Sequence, residues 1–214
     1  MLFIVGYHAS GKTHLANMLI EQYGALHIET SAVVRAFKAS DNPDASMGQW
    51  AEQKEAHYGI NFFDDIIVDA VRGAYANELE KGVTPKEVVI TGNRALTGVQ
   101  YIAEQLSDLH DRPSSVIAVE VSVEQRYQRY KERDRRPGDA DVSFEDFGDL
   151  IAHERDTGLD EIFAYADHIV FNNDSREAFM KAGHALALNE LGLKRLTMEG
   201  ENLKINGEGN GFYR

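Results

Sequence analysis

The chain opens Met1-Leu2-Phe3-Ile4-Val5-Gly6-Tyr7-His8-Ala9-Ser10-Gly11-Lys12-Thr13. An apolar run closed by a glycine is the pattern of a strand buried on both faces of a parallel sheet. Gly6 to Thr13 then fits G-x-x-x-x-G-K-[ST], a loop that leaves a strand and opens a helix. Its glycines let the backbone curl so that successive N–H groups point inward at phosphate oxygens, aided by the positive end of the following helix. The expected cradle is Gly6, His8, Ala9, Ser10, Gly11, Lys12, Thr13 and His14, and its ligand is the phosphate chain of ATP or GTP. Lys12 reaches the β and γ phosphates, and the Thr13 hydroxyl is the expected Mg²⁺ ligand. His8 reads as a solvent-exposed filler rather than a base.

Outward from this loop, short apolar runs at 25–28, 87–90, 115–121 and 168–171 alternate with helical patterns. The helical patterns fall at 12–23, 31–39, 47–57, 61–80, 95–107, 122–134, 143–156 and 175–190. Strand and helix in alternation predict an α/β three-layer sandwich: a five-stranded parallel sheet with helices on both faces and right-handed crossovers. Two interruptions predict inserts over the ligand site. One is a helical acceptor insert over about 30–80, containing Trp50, and the other is a basic lid over about 126–157. Residues 1–200 read as one domain, and the polar, Gly-rich stretch 201–214 as a flexible tail.

The 214 residues carry a formal charge of −13, with 43% hydrophobic and 27% charged residues and no cysteine. This balance fits a globular protein with a sizeable core. The negative charge argues against broad attachment to nucleic acid or anionic membrane, so neither is an expected partner. Disulfides and thiolate metal sites are impossible without cysteine, and no apolar run reaches membrane-spanning length. The short N-terminal apolar stretch lacks a basic leader, and the expected location is the cytoplasm.

Four further features point to anionic ligands. Arg35, in Glu29-Thr30-Ser31-Ala32-Val33-Val34-Arg35, reads either as a clamp for a second anion or as half of a surface salt bridge. Arg94 follows the strand Val88-Val89-Ile90 in Thr91-Gly92-Asn93-Arg94, at the carboxyl end where parallel sheets bind ligands. Residues 126–136 read RYQRYKERDRR, six basic residues against Glu132 and Asp134 in an otherwise acidic chain. Arg126, Arg129 and Arg133 share one helical face. Beside a phosphate loop this patch reads as a lid closing over polyphosphate, ahead of a solvated helix or a nucleic-acid contact. Arg155, in His153-Glu154-Arg155-Asp156, reads either as a further phosphate contact or as the partner of Asp156 or Glu154. The histidines show no metal-ligand spacing.

Over about residues 1–190 the sequence resembles the nucleoside monophosphate kinase-like group of P-loop proteins, especially adenylate-kinase-like proteins of undefined substrate and, more distantly, dephospho-CoA kinases. The resemblance implies an ATP- and Mg²⁺-dependent transfer of the γ-phosphoryl group to a small phosphorylated acceptor. It implies that Arg35 and Arg94 hold the acceptor, that Arg129, Arg133, Arg136 and Arg155 are lid arginines, and that 166–173 is the last strand with a loop near the nucleotide base. The catalytic set it implies is Lys12, Arg129, Arg133 and Arg155. Thr91 stands where the group carries an aspartate that holds magnesium through water. Glu29 lies where dephospho-CoA kinases carry a carboxylate that activates a sugar hydroxyl, which makes it a candidate base. The leading expectation is a nucleoside or deoxynucleoside monophosphate acceptor. The alternatives are a sugar-hydroxyl acceptor and an ATP-binding regulatory module with little turnover, the latter because Thr91 lacks the charge.

Overall fold

The first strand, β1 (Leu2–Val5), is buried from end to end, and its side chains alternate between two cores. Phe3 and Val5 enter one apolar cluster, while Leu2 and Ile4 enter the other. A strand period of two therefore makes β1 the central partition of the molecule. The computed structural model describes residues 1–133, 139–199 and 202–205. The chain continues through α1 (Lys12–Tyr23), β2 (Leu26–Glu29), α2 (Thr30–Asp41), α3 (Met47–Tyr58), α4 (Phe62–Glu80), β3 (Val88–Thr91), α5 (Leu96–Gln105) and β4 (Ser115–Glu120). It ends with α6 (Val123–Arg133), α7 (Phe144–Asp156), α8 (Leu159–Tyr165), β5 (His168–Phe171), α9 (Arg176–Ala185), β6 (Leu196–Glu199) and β7 (Asn202–Ile205).

The five-stranded sheet has the order β2-β3-β1-β4-β5, and every pairing in it is parallel. On one face α1, α9 and the π-helical turn Leu186–Glu190 pack through Leu15, Met18, Leu19, Phe179 and Leu186. On the other face α4, α5, α7 and α8 contribute Val71, Ile102, Phe147, Ile151 and Ile162. This is the three-layer P-loop sandwich that the alternation of strand and helix predicts. The short α8 is an addition to that pattern, set off from α7 by Gly158 at φ 96°. Seven residues are too few for a helical period to stand out.

The stretch 30–80 folds as α2, α3 and α4, with α2 and α3 both packed against α4. Trp50 is buried there against Phe37 and Phe63 and donates from Nε1 to Asp41 at 2.8 Å. Ser46 caps α3 by accepting from the Gln49 N–H, and Ser143 with Asp146 forms a capping box at the start of α7. Asn202–Ile205, within the stretch read as a tail, pairs antiparallel with Leu196–Glu199. The rest of that stretch lies outside the described residues. Among the described residues no helix is long and apolar enough to cross a membrane.

Candidate functional site

The carboxyl ends of β1, β2 and β3 come together by register. Ile4 and Glu29 both pair with Thr91, so the root of the phosphate loop, the candidate base and the Thr91 position are neighbours. Over these ends lies a cavity of about 900 Å³. Its walls include Gly6, His8, Ala9, Ser10, Gly11, Lys12, Thr13 and His14, and also Glu29, Arg35, Arg94 and Arg129.

The loop conformation depends on its two glycines. A Cβ on Gly6 would lie 2.5 Å from Ser10 Oγ and 2.8 Å from the Val119 carbonyl oxygen of the next strand. Gly11 sits at φ 101°, and a Cβ there would collide with the Asn172 amide. Ala9 is the non-glycine residue of the loop at positive φ, at 60°. Lys12 Nζ donates back to the Gly6 carbonyl and, at 2.9 Å, to the Tyr7 carbonyl.

Asn172, just beyond β5, ties the loop to α6. Its Nδ2 donates to the Ser10 carbonyl at 2.8 Å, and its own carbonyl accepts from Arg129 Nη2 at 2.8 Å. Arg129 Nη1 is buried without a hydrogen-bond partner among the described residues, so this guanidinium has a donor left for a ligand. Arg133 closes α6, and its side chain lies outside those described, as does Arg136 entirely. Arg126 does not join Arg129 at the cavity. It is buried, donates from Nε to the Val121 carbonyl at 3.1 Å, and lies over the Tyr7 ring.

At the end of β2, Glu29 Oε1 accepts from Ser31 Oγ at 2.7 Å and lies 3.7 Å from Arg35 Nη2. Both members of that pair are about half exposed, so screening leaves the guanidinium available to an anion. Arg94 is exposed on the same cavity wall with no ion-pair partner among the described residues. Thr91 is buried and shares a 2.9 Å hydrogen bond with His27 Nε2. Burial holds the His27 imidazole below its ordinary pKa, against the smaller opposing pull of Glu29. The Thr91 position is thus neutral together with its partner.

Arg155 is turned away from the cavity, 3.6 Å from Asp160 and in contact with Tyr7. Its neighbour Glu154 faces the cavity instead and is only 3% exposed. Glu154 Oε2 accepts from the His8 N–H at 3.0 Å, and Oε1 lies 2.6 Å from His8 Nδ1. Burial pushes the Glu154 pKa up, but hydrogen bonds from His8 and the charges of His8 and Lys12 outweigh it and hold the carboxyl below its usual value. His8 is therefore a largely enclosed, paired residue, its side chain 24% exposed, and not a solvent-exposed filler. Sequence reasoning also missed Arg176 and Phe179 of α9, which line the cavity beside Asn172. Arg176, directly after the Ser175 cap, was the one legible signal.

A parallel sheet with this order and a phosphate loop after β1 define an α/β P-loop kinase-like fold. Residues 5–148 match a family model described as AAA domain, and the chain belongs to that family. No curated protein matches the sequence. The fold is similar to that of TT1252 from Thermus thermophilus, with a TM-score of 0.55 and 17% identity over 89% of this chain and 96% of the other. It is also similar to shikimate kinase from Bacteroides thetaiotaomicron, with a TM-score of 0.53 and 15% identity over 90% and 98% of the two chains. A third similar fold is shikimate kinase from Acinetobacter baumannii in complex with shikimate, at 0.50 and 19% identity over 89% and 92%.

Proposed function

We propose that this protein is an ATP-dependent phosphotransferase that moves the γ-phosphoryl group to a small nucleotide-like acceptor, with a nucleoside or deoxynucleoside monophosphate as the leading candidate. The observation that carries this reading is one continuous cavity lined by the phosphate loop and also by Arg35 and Arg94. A protein that only binds ATP needs no second set of guanidinium groups facing the loop. Two anionic substrates held in one enclosure convert a bimolecular encounter into a positioned transfer.

In this reading the loop amides and Lys12 hold the donor phosphates, after Lys12 exchanges the Gly6 and Tyr7 carbonyls for phosphate oxygens. Arg129 offers its unpartnered Nη1 to the donor, and Asn172 keeps that arginine in register with the loop. Arg35 and Arg94 hold the acceptor's anionic group. Arg133, Arg136 and Arg155 belong to the proposal as lid cations. Thr13, on the cavity wall, is the residue for Mg²⁺, and no cluster of three ligating side chains occurs among the described residues. That donor set suits an ion carried chiefly by the nucleotide's own phosphates. When bound, Mg²⁺ supplies charge neutralisation on the phosphates.

A second reading, transfer to a hydroxyl acceptor such as dephospho-CoA, is favoured by Glu29, a half-exposed carboxylate within the same cavity. A monophosphate oxygen is already anionic and needs no base, whereas a hydroxyl does. A coupled assay of ADP release across nucleoside monophosphates and hydroxyl acceptors separates the two. Monophosphate-dependent release that survives Glu29→Gln supports the leading acceptor. Release with a hydroxyl acceptor alone, abolished by Glu29→Gln, overturns it. Tight ATP binding with no acceptor-dependent release identifies a regulatory module instead.

A further inference from the structure

Both carboxylate oxygens of Glu154 lie against His8: Oε2 accepts from its backbone N–H at 3.0 Å, and Oε1 is 2.6 Å from Nδ1, an ion-pair contact without hydrogen-bond geometry. A buried carboxylate is costly unless its oxygens are satisfied, so this pairing fixes the imidazole as well as the loop. Because Glu154 closes off Nδ1, Nε2 is the ring nitrogen left for a ligand, and it has no hydrogen-bond partner among the described residues. A carboxylate beside one ring nitrogen orients the ring and so aims the other. His8 lines the cavity together with Lys12, and the Lys12 charge acts on Glu154. The pair therefore lies on the Lys12 side of the cavity. Arg129 and Asn172 lie along another wall, beside Ser10.

We propose that His8, held through Nδ1 by Glu154, is a catalytic residue that donates from Nε2–H to the γ-phosphoryl group of the bound triphosphate, with Glu154 as its positioning residue. The proposal rests on the phosphotransfer reading of the site. In this role Nδ1 faces Glu154 and Nε2–H meets a γ oxygen. The contact adds a directed donor beside the cations already at the site. The charged and titratable groups around it are Lys12 of α1, Arg126 of α6, and Tyr7 with its partners Asp160 and Arg155. A diphosphate lacks the group that Nε2–H meets, so the contact discriminates between triphosphate and diphosphate.

The test is calorimetric binding of ADP and of the β,γ-imido analogue of ATP to the full chain and to its His8→Ala, His8→Gln and Glu154→Gln variants. His8→Ala should weaken the triphosphate analogue about tenfold, the worth of one charge-assisted hydrogen bond, and leave ADP within about twofold. His8→Gln, which keeps a donor, should recover part of the loss, and Glu154→Gln should lose triphosphate preference in the same direction. The ¹⁵N resonance of His8 Nε2 should move with the analogue and stay in place with ADP. Equal losses for both nucleotides, or no loss and no resonance shift, overturn the proposal. If Glu154→Gln fails to fold, the two His8 variants decide the matter, because that side chain lies on a loop. A wild-type protein with the triphosphate-selective response but no transfer to any acceptor would refute the phosphotransfer reading and leave the His8 contact standing.

Discussion

Gly11→Ala tests the account of the phosphate loop at its tightest point. Gly11 has φ 101° and ψ 10°, and an added Cβ would meet Asn172 Nδ2 within contact distance. Left-handed backbone costs an alanine roughly 1–2 kcal/mol. Displacing the Asn172 amide also strips the Ser10 carbonyl of its partner, roughly 1–3 kcal/mol more. Together they amount to about 2–5 kcal/mol, which in a domain of this size lowers Tm by roughly 5–15 °C. Because Arg129 is held by the same asparagine, ADP affinity should fall as well. The assay is thermal melting with and without ADP, and Gly73→Ala serves as control. Gly73 lies within α4, and a Cβ there meets nothing within 4 Å. Its replacement should stabilise by about 0.5–1 kcal/mol. A Gly11→Ala protein that melts with the wild type and binds ADP equally well would refute this reasoning.

Two further perturbations probe other parts of the molecule. Arg129→Ala should weaken ADP about tenfold in calorimetry, since its buried Nη1 is a charged donor with no protein partner among the described residues; unchanged affinity would remove it from the donor site. Asp64 of α4 is pushed up to about 6 by burial and then by the charges of Asp65 and Glu55. Its folded value lies above the ordinary 3.8, so its contribution to stability is full below about pH 4 and is lost as pH rises through 6. Asp64→Asn should therefore raise Tm at pH 8 and give no gain at pH 4, and an equal effect at both values would contradict the assignment.

The phosphate loop was legible because its chemistry sits in consecutive residues after an apolar run. The sheet was legible because β1, β3 and β4 are nearly continuous apolar segments. Glu29, Thr91 and Arg94 could be read from their places at strand ends, where parallel topology gathers side chains. Glu154 could not. In sequence it is one polar residue among four in His153-Glu154-Arg155-Asp156, and its partner His8 lies 146 residues away. Successive helical residues are about 100° apart, so only one of Glu154 and Arg155 can face the loop, and the sequence does not say which. Folding selects the carboxylate, while Arg155 finds Asp160 on the next helix. The lid arginines read alike for the same reason. Their helical spacing puts Arg126 and Arg129 on one face, yet tertiary packing buries Arg126 over Tyr7 and leaves Arg129 at the cavity.

The most direct test of phosphoryl transfer is to follow label from [γ-³²P]ATP into a panel of monophosphate and hydroxyl acceptors with the wild type and with Lys12→Ala. The account predicts label in one class of acceptor, matched one for one by ADP and lost in the Lys12 variant. Label that stays in ATP or appears only as free phosphate, whatever the acceptor, would contradict it.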